Sequence, residues 1–243
     1  MSSENTKGGS ALERLPAPQR LPHADASIGL WLFKLAGDSV DIAQVVHSLS
    51  PAEHTRAARF GTDLLRQRWM IGRATLRLLL GQHLGIEPSQ VPLRRGVRGR
   101  PELDLPNAPD FNVSHTGDVA LIGIGASLKR GERIGVDIER ADRDVNADGL
   151  ARRVLTERER GDLAPLDTQA RRRRFLRLWT CKEAMSKATG DALSAPFRRI
   201  DVDLSDEIRL SAGPPPYTPQ RWRLSALRVP QEFIATLAVW RSQ

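Results

Sequence analysis

The sequence contains a single cysteine, Cys181, among 243 residues. An intramolecular disulfide is therefore excluded, and because no apolar segment follows the polar start we expect a protein of the reducing cytoplasm. Long hydrophobic runs are also missing, since the longest one, Ala120 to Leu128, is far below the roughly 18 residues of a membrane-spanning helix. We therefore expect no insertion into a membrane.

Metal-ligand clusters of the zinc type are absent as well. No cysteine or histidine lies at ligand spacing from His23, His47, His54 or His83. Basic residues are plentiful, and the formal net charge of +8 indicates anionic partners, which include nucleic acids, membrane surfaces, polyphosphate ligands and acidic proteins. The four arginines 171–174 are interpreted as a solvated helix face or a surface for an acidic partner, and nucleic acid is the less favoured alternative.

Hydrophobic periodicity predicts an α+β protein. Residues 1–25 lack periodicity and are predicted to form a flexible tail, with structure beginning near Ile28. Strand, short helix, long helix and strands follow in that order up to residue 130, and the same order is repeated from residue 131. We therefore predict a pseudo-twofold pair of similar lobes, residues 26–130 and residues 131–243, joined near residues 128–133.

Two carboxylates lie two residues apart in a predicted strand. Asp137 and Glu139 therefore point to the same face, and hard oxygen ligands of this kind suit Mg²⁺ held together with substrate phosphates. A solvated strand face is the more common explanation for an isolated pair of this kind. A third acid follows on the predicted helix 168–189, where Glu183 and Lys187 share the side opposite an apolar stripe that includes Cys181. A surface ion pair is the alternative interpretation of that spacing.

Four sequence elements together resemble the signature of the 4′-phosphopantetheinyl transferases. In chain order they are Gly99 to Pro101, Phe111 to His115, Gly135 to Glu139 and Trp179 to Lys187. Their order and their distances along the chain are typical of that family. The chain length resembles that of the two-lobed, Sfp-type members. The resemblance implies that the chain has the family's fold, with the active site between two lobes.

The resemblance also implies a reaction and a set of residues. It implies that the enzyme transfers the 4′-phosphopantetheine arm of coenzyme A to a serine of an acyl or peptidyl carrier protein and releases 3′,5′-ADP. Mg²⁺ would be bound by Asp137, Glu139 and Glu183. The serine hydroxyl needs a base, for which Glu183 is the candidate, directly or through a metal-bound water, and Lys187 would stabilise the leaving phosphate.

Coenzyme A would be bound by basic and hydroxyl-bearing side chains. By resemblance, Ser114 and His115 would contact the region of the 3′-phosphate. For an isolated histidine at the end of a strand, exposure to solvent without a ligand is the more common interpretation. Arg56, Arg95 and Arg100 align with basic positions of the family's coenzyme site. Arg100 departs from the lysine that the family usually has there, and guanidinium and ammonium groups differ in geometry.

The expected partners are coenzyme A and an acidic carrier protein, and the expected state is a monomer. A Mg²⁺-dependent nuclease is the alternative hypothesis, because three carboxylates with a lysine also serve phosphodiester cleavage and the chain is basic. The spacing argues against a nuclease. Glu183 and Lys187 are four residues apart in a predicted helix, whereas the usual nuclease pattern has the acid and the lysine two apart on a strand.

Overall fold

The structure is a computed structural model that describes residues 18–36, 45–96, 98–143 and 147–242. The chain divides into two units, one of residues 1–19 and 33–91 and one of residues 20–32 and 92–243. The predicted lobes 26–130 and 131–243 stay a prediction. Within the described ranges, no helix combines the length and the apolar character needed to cross a membrane.

The first strand begins nearer the N-terminus than the sequence predicts. Of the predicted tail, residues 1–17 lie outside the described residues, but Gln19–Arg20 already form the short strand β1. The side chain of Leu21 is buried, and its backbone N–H donates to Leu30 O (2.9 Å). Structure therefore begins before Ile28, because one apolar residue after the Pro-rich segment is enough to attach the chain to the core.

Two helices of the first unit are described together with the residues at which they begin and end. Helix α1, Pro51–Ala57, begins with a proline at its first position, and helix α2, Asp63–Leu84, ends at Gly85, whose φ of 69° is the left-handed conformation that glycine tolerates. The sequence predicts this end, since the apolar periodicity of the helix stops at the breaker Gly85. The sequence predicts that α1 runs to the breaker Gly61. The helix ends earlier, because the next turns close through tighter bonds between residues three apart, Arg59 N to Arg56 O and Phe60 N to Ala57 O.

A buried ion-pair cluster joins these two helices. The carboxylate of Glu53 accepts bonds from Ser50 N (2.9 Å) and from the Nε atoms of Arg73 and Arg77. Arg77 also donates through Nη1 to three carbonyls that follow α2, of which Val91 O lies at 3.0 Å. Helical periodicity alone predicts both arginines on the side of α2 opposite its apolar stripe, in contact with solvent. Arg77 is instead buried, and its guanidinium is held by the Glu53 carboxylate and these carbonyls.

The second unit is built on two antiparallel sheets and one long helix. The sheets have the strand orders β1-β2-β6-β5 and β10-β11-β7, with strand bounds Ile28–Lys34 (β2), Asp110–Thr116 (β5), Val119–Gly125 (β6), Glu132–Arg140 (β7), Trp222–Ala226 (β10) and Phe233–Arg241 (β11). Two small hairpins complete the strands: Leu93–Arg95 with Pro101–Leu103 (β3, β4) and Asp201–Asp203 with Arg209–Ala212 (β8, β9). The mixed α+β class predicted from the sequence is confirmed.

Three further helices lie within the described residues of the second unit, and the sequence indicates them to different degrees. They are α3, Ala147–Val154, α4, Glu157–Leu163, and α5, Thr168–Thr189. Helix α5 has the predicted bounds, because Asp167 caps its start through Ala170 N (2.9 Å) and Gly190 ends it with a φ of 84°. Helix α3 and strand β9 were not predicted, since both are short and carry no clear start signal.

Strand β7 packs against α5 on one face and against an apolar core on the other. Ile134, Val136 and Ile138 belong to the core shared with the first sheet, and the alternate residues of β7 face the helix. A Cβ atom built on Gly135 would come within 1.9 Å of Ala184 O. Only glycine therefore allows the helix to approach this closely, and that approach brings Glu183 and Lys187 beside Asp137.

Side chains of β5 replace a main-chain ladder at the free edge of β7. Three of them accept from β7 backbone N–H groups at a constant offset of 24 residues: Asp110 Oδ2 from Ile134 (2.7 Å), Asn112 Oδ1 from Val136 (3.0 Å) and Ser114 Oγ from Ile138 (3.4 Å). The other edge of β7 pairs with β11. The strand that carries Asp137 and Glu139 is therefore held along both edges.

Candidate active site

A lysine, an aspartate and a serine form the centre of the site, all within the second unit. The Lys187 ammonium, on α5, donates to Asp137 Oδ1 (2.7 Å) and to Ser114 Oγ (2.8 Å). The Ser114 hydroxyl donates in turn to Asp137 Oδ1 (2.8 Å). Lys187 also lies 3.3 Å from Val136 O. Side chains from α5 and β5 thus meet at a single carboxylate oxygen of β7.

Glu139, two residues further along β7, has its own set of donors. Thr116 Oγ1 donates to Oε2 (3.2 Å), and Trp179 Nε1 donates to Oε1 (3.2 Å). Arg143, just beyond the end of β7, forms an ion pair with Oε1. Glu139 is therefore fixed by one neutral donor on each oxygen and neutralised by one cation.

Two buried oxygen atoms in the site lack a hydrogen-bond partner among the described residues. They are Asp137 Oδ2 and Glu183 Oε1. Burial and the nearby Asp137 raise the pKa of Glu183 to about 7, and the same two causes raise the pKa of Glu139. For both groups, removal of the carboxylate from water is the larger cause and repulsion by the Asp137 carboxylate the smaller one.

The donor set fits a hard divalent cation such as Mg²⁺. Carboxylate oxygens are the ligands that Mg²⁺ takes from proteins, and the unpartnered oxygens of Asp137 and Glu183 are available to it. No three acidic, histidine or cysteine side chains in the described ranges converge as a preformed metal-binding group. Lys187 and Arg143 each form an ion pair with one of the two strand carboxylates.

Comparison with known proteins covers both parts of the chain. Residues 133–238 match the family model described as the 4′-phosphopantetheinyl transferase superfamily, and residues 37–126 match the model of the 4′-phosphopantetheinyl transferase N-terminal region. The chain is 32% identical over 230 residues to the 4′-phosphopantetheinyl transferase HetI of Nostoc sp., covering 93% of this chain and 92% of that protein. The chain belongs to the 4′-phosphopantetheinyl transferase superfamily.

More distant members of the superfamily match a smaller part of the chain. The 4′-phosphopantetheinyl transferase Sfp of Bacillus subtilis is 26% identical over 164 residues, which cover 67% of this chain and 70% of Sfp. The human L-aminoadipate-semialdehyde dehydrogenase-phosphopantetheinyl transferase is 28% identical over 191 residues, which cover 74% of this chain and 59% of that protein. Membership in this superfamily excludes the nuclease alternative.

The phosphopantetheinyl transferase motif residues Ser114 and His115 lie on opposite faces of β5. Ser114 is buried against Asp137 and Lys187, whereas His115 is exposed. Alternation along the strand makes this unavoidable for neighbours. The structure therefore joins Ser114 to the carboxylate site but leaves His115 outside it, and the contacts predicted between these residues and coenzyme A stay predictions.

Arg100, which was predicted for the coenzyme A site, is bonded to Asp110 and to backbone carbonyls rather than to Asp137, Glu139 or Glu183. The Arg100 guanidinium binds both oxygens of Asp110 (2.8 Å each), Lys187 O (2.9 Å) and Ile134 O (2.9 Å). It is buried, and each of its nitrogens has a protein acceptor. Arg100 thus connects β5, β7 and the end of α5, which is a structural role that a lysine could not fill with the same bonds.

The other two predicted coenzyme residues are exposed. Arg95 bonds Gly99 O within its own hairpin (3.3 Å). Arg56 belongs to the first unit, where its guanidinium stacks over the ring of Trp69 at 5.3 Å. Their contacts with coenzyme A stay predictions.

Sequence reasoning missed two residues of the transferase site. Thr116 follows the motif residue Ser114 at the i+2 position, so strand alternation alone could have placed it on the same face. Trp179 opens the family element Trp179 to Lys187, and the sequence predicts only that its ring packs near the cleft. Its indole N–H bonds Glu139, and this is a tertiary contact that helix periodicity does not reveal.

The raised pKa of Glu183 predicts a pH-dependent stability. Because the pKa in the folded protein, about 7, exceeds the ordinary value of 4.5, the stabilisation by the neutral form is complete below about pH 4.5 and is lost as the pH rises through 7. Glu183→Gln cannot ionise. Without divalent cations, its free energy of unfolding should match wild type near pH 4.5 and exceed it by up to about 3 kcal/mol above pH 7.5. Urea unfolding across this pH range measures the difference, and parallel curves would contradict the prediction.

Proposed function

We propose that the protein transfers the 4′-phosphopantetheine moiety of coenzyme A to a serine of an acyl or peptidyl carrier protein, at the site formed by Asp137, Glu139, Glu183 and Lys187. The observation that carries this proposal is the pair of unpartnered buried carboxylate oxygens beside Lys187, on residues that match the superfamily. A buried excess of negative charge next to one lysine suits a ligand that brings both a cation and phosphates.

Each side chain has a distinct role in the proposed reaction. Glu183, with a pKa of about 7, can take the proton of the attacking serine near neutral pH, which is the range in which a general base works best. The Lys187 ammonium can follow negative charge onto the leaving phosphate, because its flexible side chain is a quarter exposed and its present partners are exchangeable. Ser114 orients Asp137 for its part in binding.

Asp137, Glu139 and Glu183 would hold Mg²⁺ together with the coenzyme A pyrophosphate. When bound, Mg²⁺ neutralises the charge that builds up on the phosphoryl oxygens. Asp137 can offer its unpartnered Oδ2 while Lys187 stays on Oδ1, whereas the ion pair between Glu139 and Arg143 would loosen. We further propose a monomer that acts in the cytoplasm on an acidic carrier protein, which the net charge of +8 would attract.

The carboxylates can be tested with substitutions that keep their shape. Asp137→Asn and Glu183→Gln should each lower the rate of phosphopantetheine transfer by at least about 100-fold, because a ligand or the base is lost. The phosphopantetheine mass increment on an apo carrier protein, incubated with coenzyme A and Mg²⁺, measures the transfer. Asp206→Asn, at an exposed residue away from the site, is the matched control. Wild-type rates in both site variants would remove these carboxylates from the mechanism.

A further inference from the structure

Glu139 is held by two neutral hydrogen-bond donors from different elements. Thr116 comes from β5 and Trp179 from α5, and each donor takes a different carboxylate oxygen at 3.2 Å. The Thr116 side chain is buried. The Trp179 ring packs against Phe197, with ring centroids 5.8 Å apart. Neither donor can move far without disturbing the core that surrounds it.

These donors differ from Arg143, the third partner of Glu139. Arg143 carries a positive charge, and its side chain is 46% exposed, so a cation arriving at Glu139 would repel it toward solvent. A hydroxyl and an indole N–H carry no net charge and do not compete with a cation. A carboxylate with one donor on each oxygen keeps further lone pairs for a ligand. Thr116 and Trp179 can therefore keep their bonds whether or not a cation is bound.

We propose that Thr116 and Trp179 are positioning residues that hold the Glu139 carboxylate, one donor on each oxygen, in the orientation in which it binds the cation. The inference rests on the proposed function, in which Glu139 is a ligand. Hydrogen bonds to ligating groups typically change metal affinity by tenfold or more. Trp179 would thus contribute to the site through the hydrogen bond of its indole N–H to Glu139 as well as through the packing of its ring.

Substitutions that remove one donor test this role: Thr116→Val keeps the side-chain volume, and Trp179→Phe keeps an aromatic ring. Thr116→Val and Trp179→Phe should each raise the Mg²⁺ concentration for half-maximal transfer about tenfold, and Thr116→Ser should stay within about twofold of wild type. The Mg²⁺-dependent rise in Tm, measured with coenzyme A but without a carrier protein, should shift in parallel. Thr55→Val, at an exposed threonine of α1, is the matched control. A lower Tm with an unchanged Mg²⁺ dependence would show that both residues are merely structural and would overturn the proposal.

A double-mutant cycle shows whether the two residues act through Glu139. Glu139→Gln should raise the Mg²⁺ requirement by itself, and adding Thr116→Val or Trp179→Phe to it should change little more. Full additivity would overturn the proposal. If Glu139→Gln alone leaves the Mg²⁺ dependence unchanged, the assignment of Glu139 as a ligand fails, and the positioning role fails with it. If Glu139→Gln acts but the two donor variants do not, only the positioning role fails.

The hydrogen bond can also be observed without metal or turnover. The indole N–H resonance of Trp179, assigned by its loss in Trp179→Phe, should move on Glu139→Gln, because the acceptor of this hydrogen bond changes from a carboxylate to an amide. Thr116→Val should move it less, since Thr116 bonds the other oxygen. A resonance that does not respond to Glu139→Gln would overturn the proposed contact.

Discussion

We expect Gly135→Ala to lower the free energy of unfolding by about 3 kcal/mol or more and to leave little active protein. The added Cβ would lie 1.9 Å from Ala184 O and 2.8 Å from Ala188 N, and both are backbone atoms of α5 that cannot move aside alone. The helix must therefore shift away from β7, which forfeits core packing along both elements. Urea unfolding followed by tryptophan fluorescence measures the loss.

The matched control for this variant is Gly161→Ala. Gly161 lies in α4, and a Cβ atom there meets nothing within 4 Å. Alanine should therefore stabilise this helix by about 0.5–1 kcal/mol through its better helix propensity. If Gly135→Ala unfolds at the same urea concentration as wild type, the close approach of α5 to β7 is not required by the fold.

We expect Lys182→Met to destabilise the protein by about 3–5 kcal/mol, the typical effect of breaking a buried ion pair. The Lys182 ammonium is fully buried and donates to Glu159 Oε2 (2.6 Å), Val154 O (2.8 Å) and Phe197 O (2.8 Å). Removing it leaves the buried Glu159 carboxylate without its ion-pair partner. Thermal and urea unfolding of the variant measure the effect, with Lys129→Met at an exposed lysine as the control.

A second substitution tests the cause. Glu159 also accepts bonds from Thr156 N (2.8 Å) and Val202 N (2.9 Å). Glutamine at this position has no charge and can still accept one of these bonds. Lys182→Met with Glu159→Gln should therefore be more stable than Lys182→Met alone. Equal stability would mean that packing around the lysine, rather than the unpaired charge, explains the loss.

The local signals in the sequence were sufficient for most helix ends. Gly85 and Gly190 end α2 and α5 because left-handed backbone is accessible to glycine, and Thr156 with Glu159 opens α4 as a capping box. Strand β7 was found for the same reason, since a run of β-branched and alternating residues is a local property. Such signals depend only on neighbours in the chain, and the sequence shows them directly.

Roles that depend on distant partners could not be read in this way. Arg100 and Lys182 both stand in motifs and carry charge, yet both are buried and bonded to protein atoms. A basic residue that binds a phosphate and one that binds carbonyls have the same sequence pattern. Only the packing of β5, β7 and α5 separates the two cases.

The four sequence elements were sufficient to identify the superfamily, and spacing along regular elements was sufficient to place Asp137 and Glu139 on one face of a strand and Glu183 and Lys187 on one side of a helix. The sequence did not show that Lys187 contacts Asp137, that Glu139 contacts Thr116 and Trp179, or that the pKa of Glu183 is raised to about 7. These contacts and this pKa shift arise from burial and from short distances between elements that are remote in the chain. Neither burial of that kind nor such distances produce a periodic pattern in the sequence.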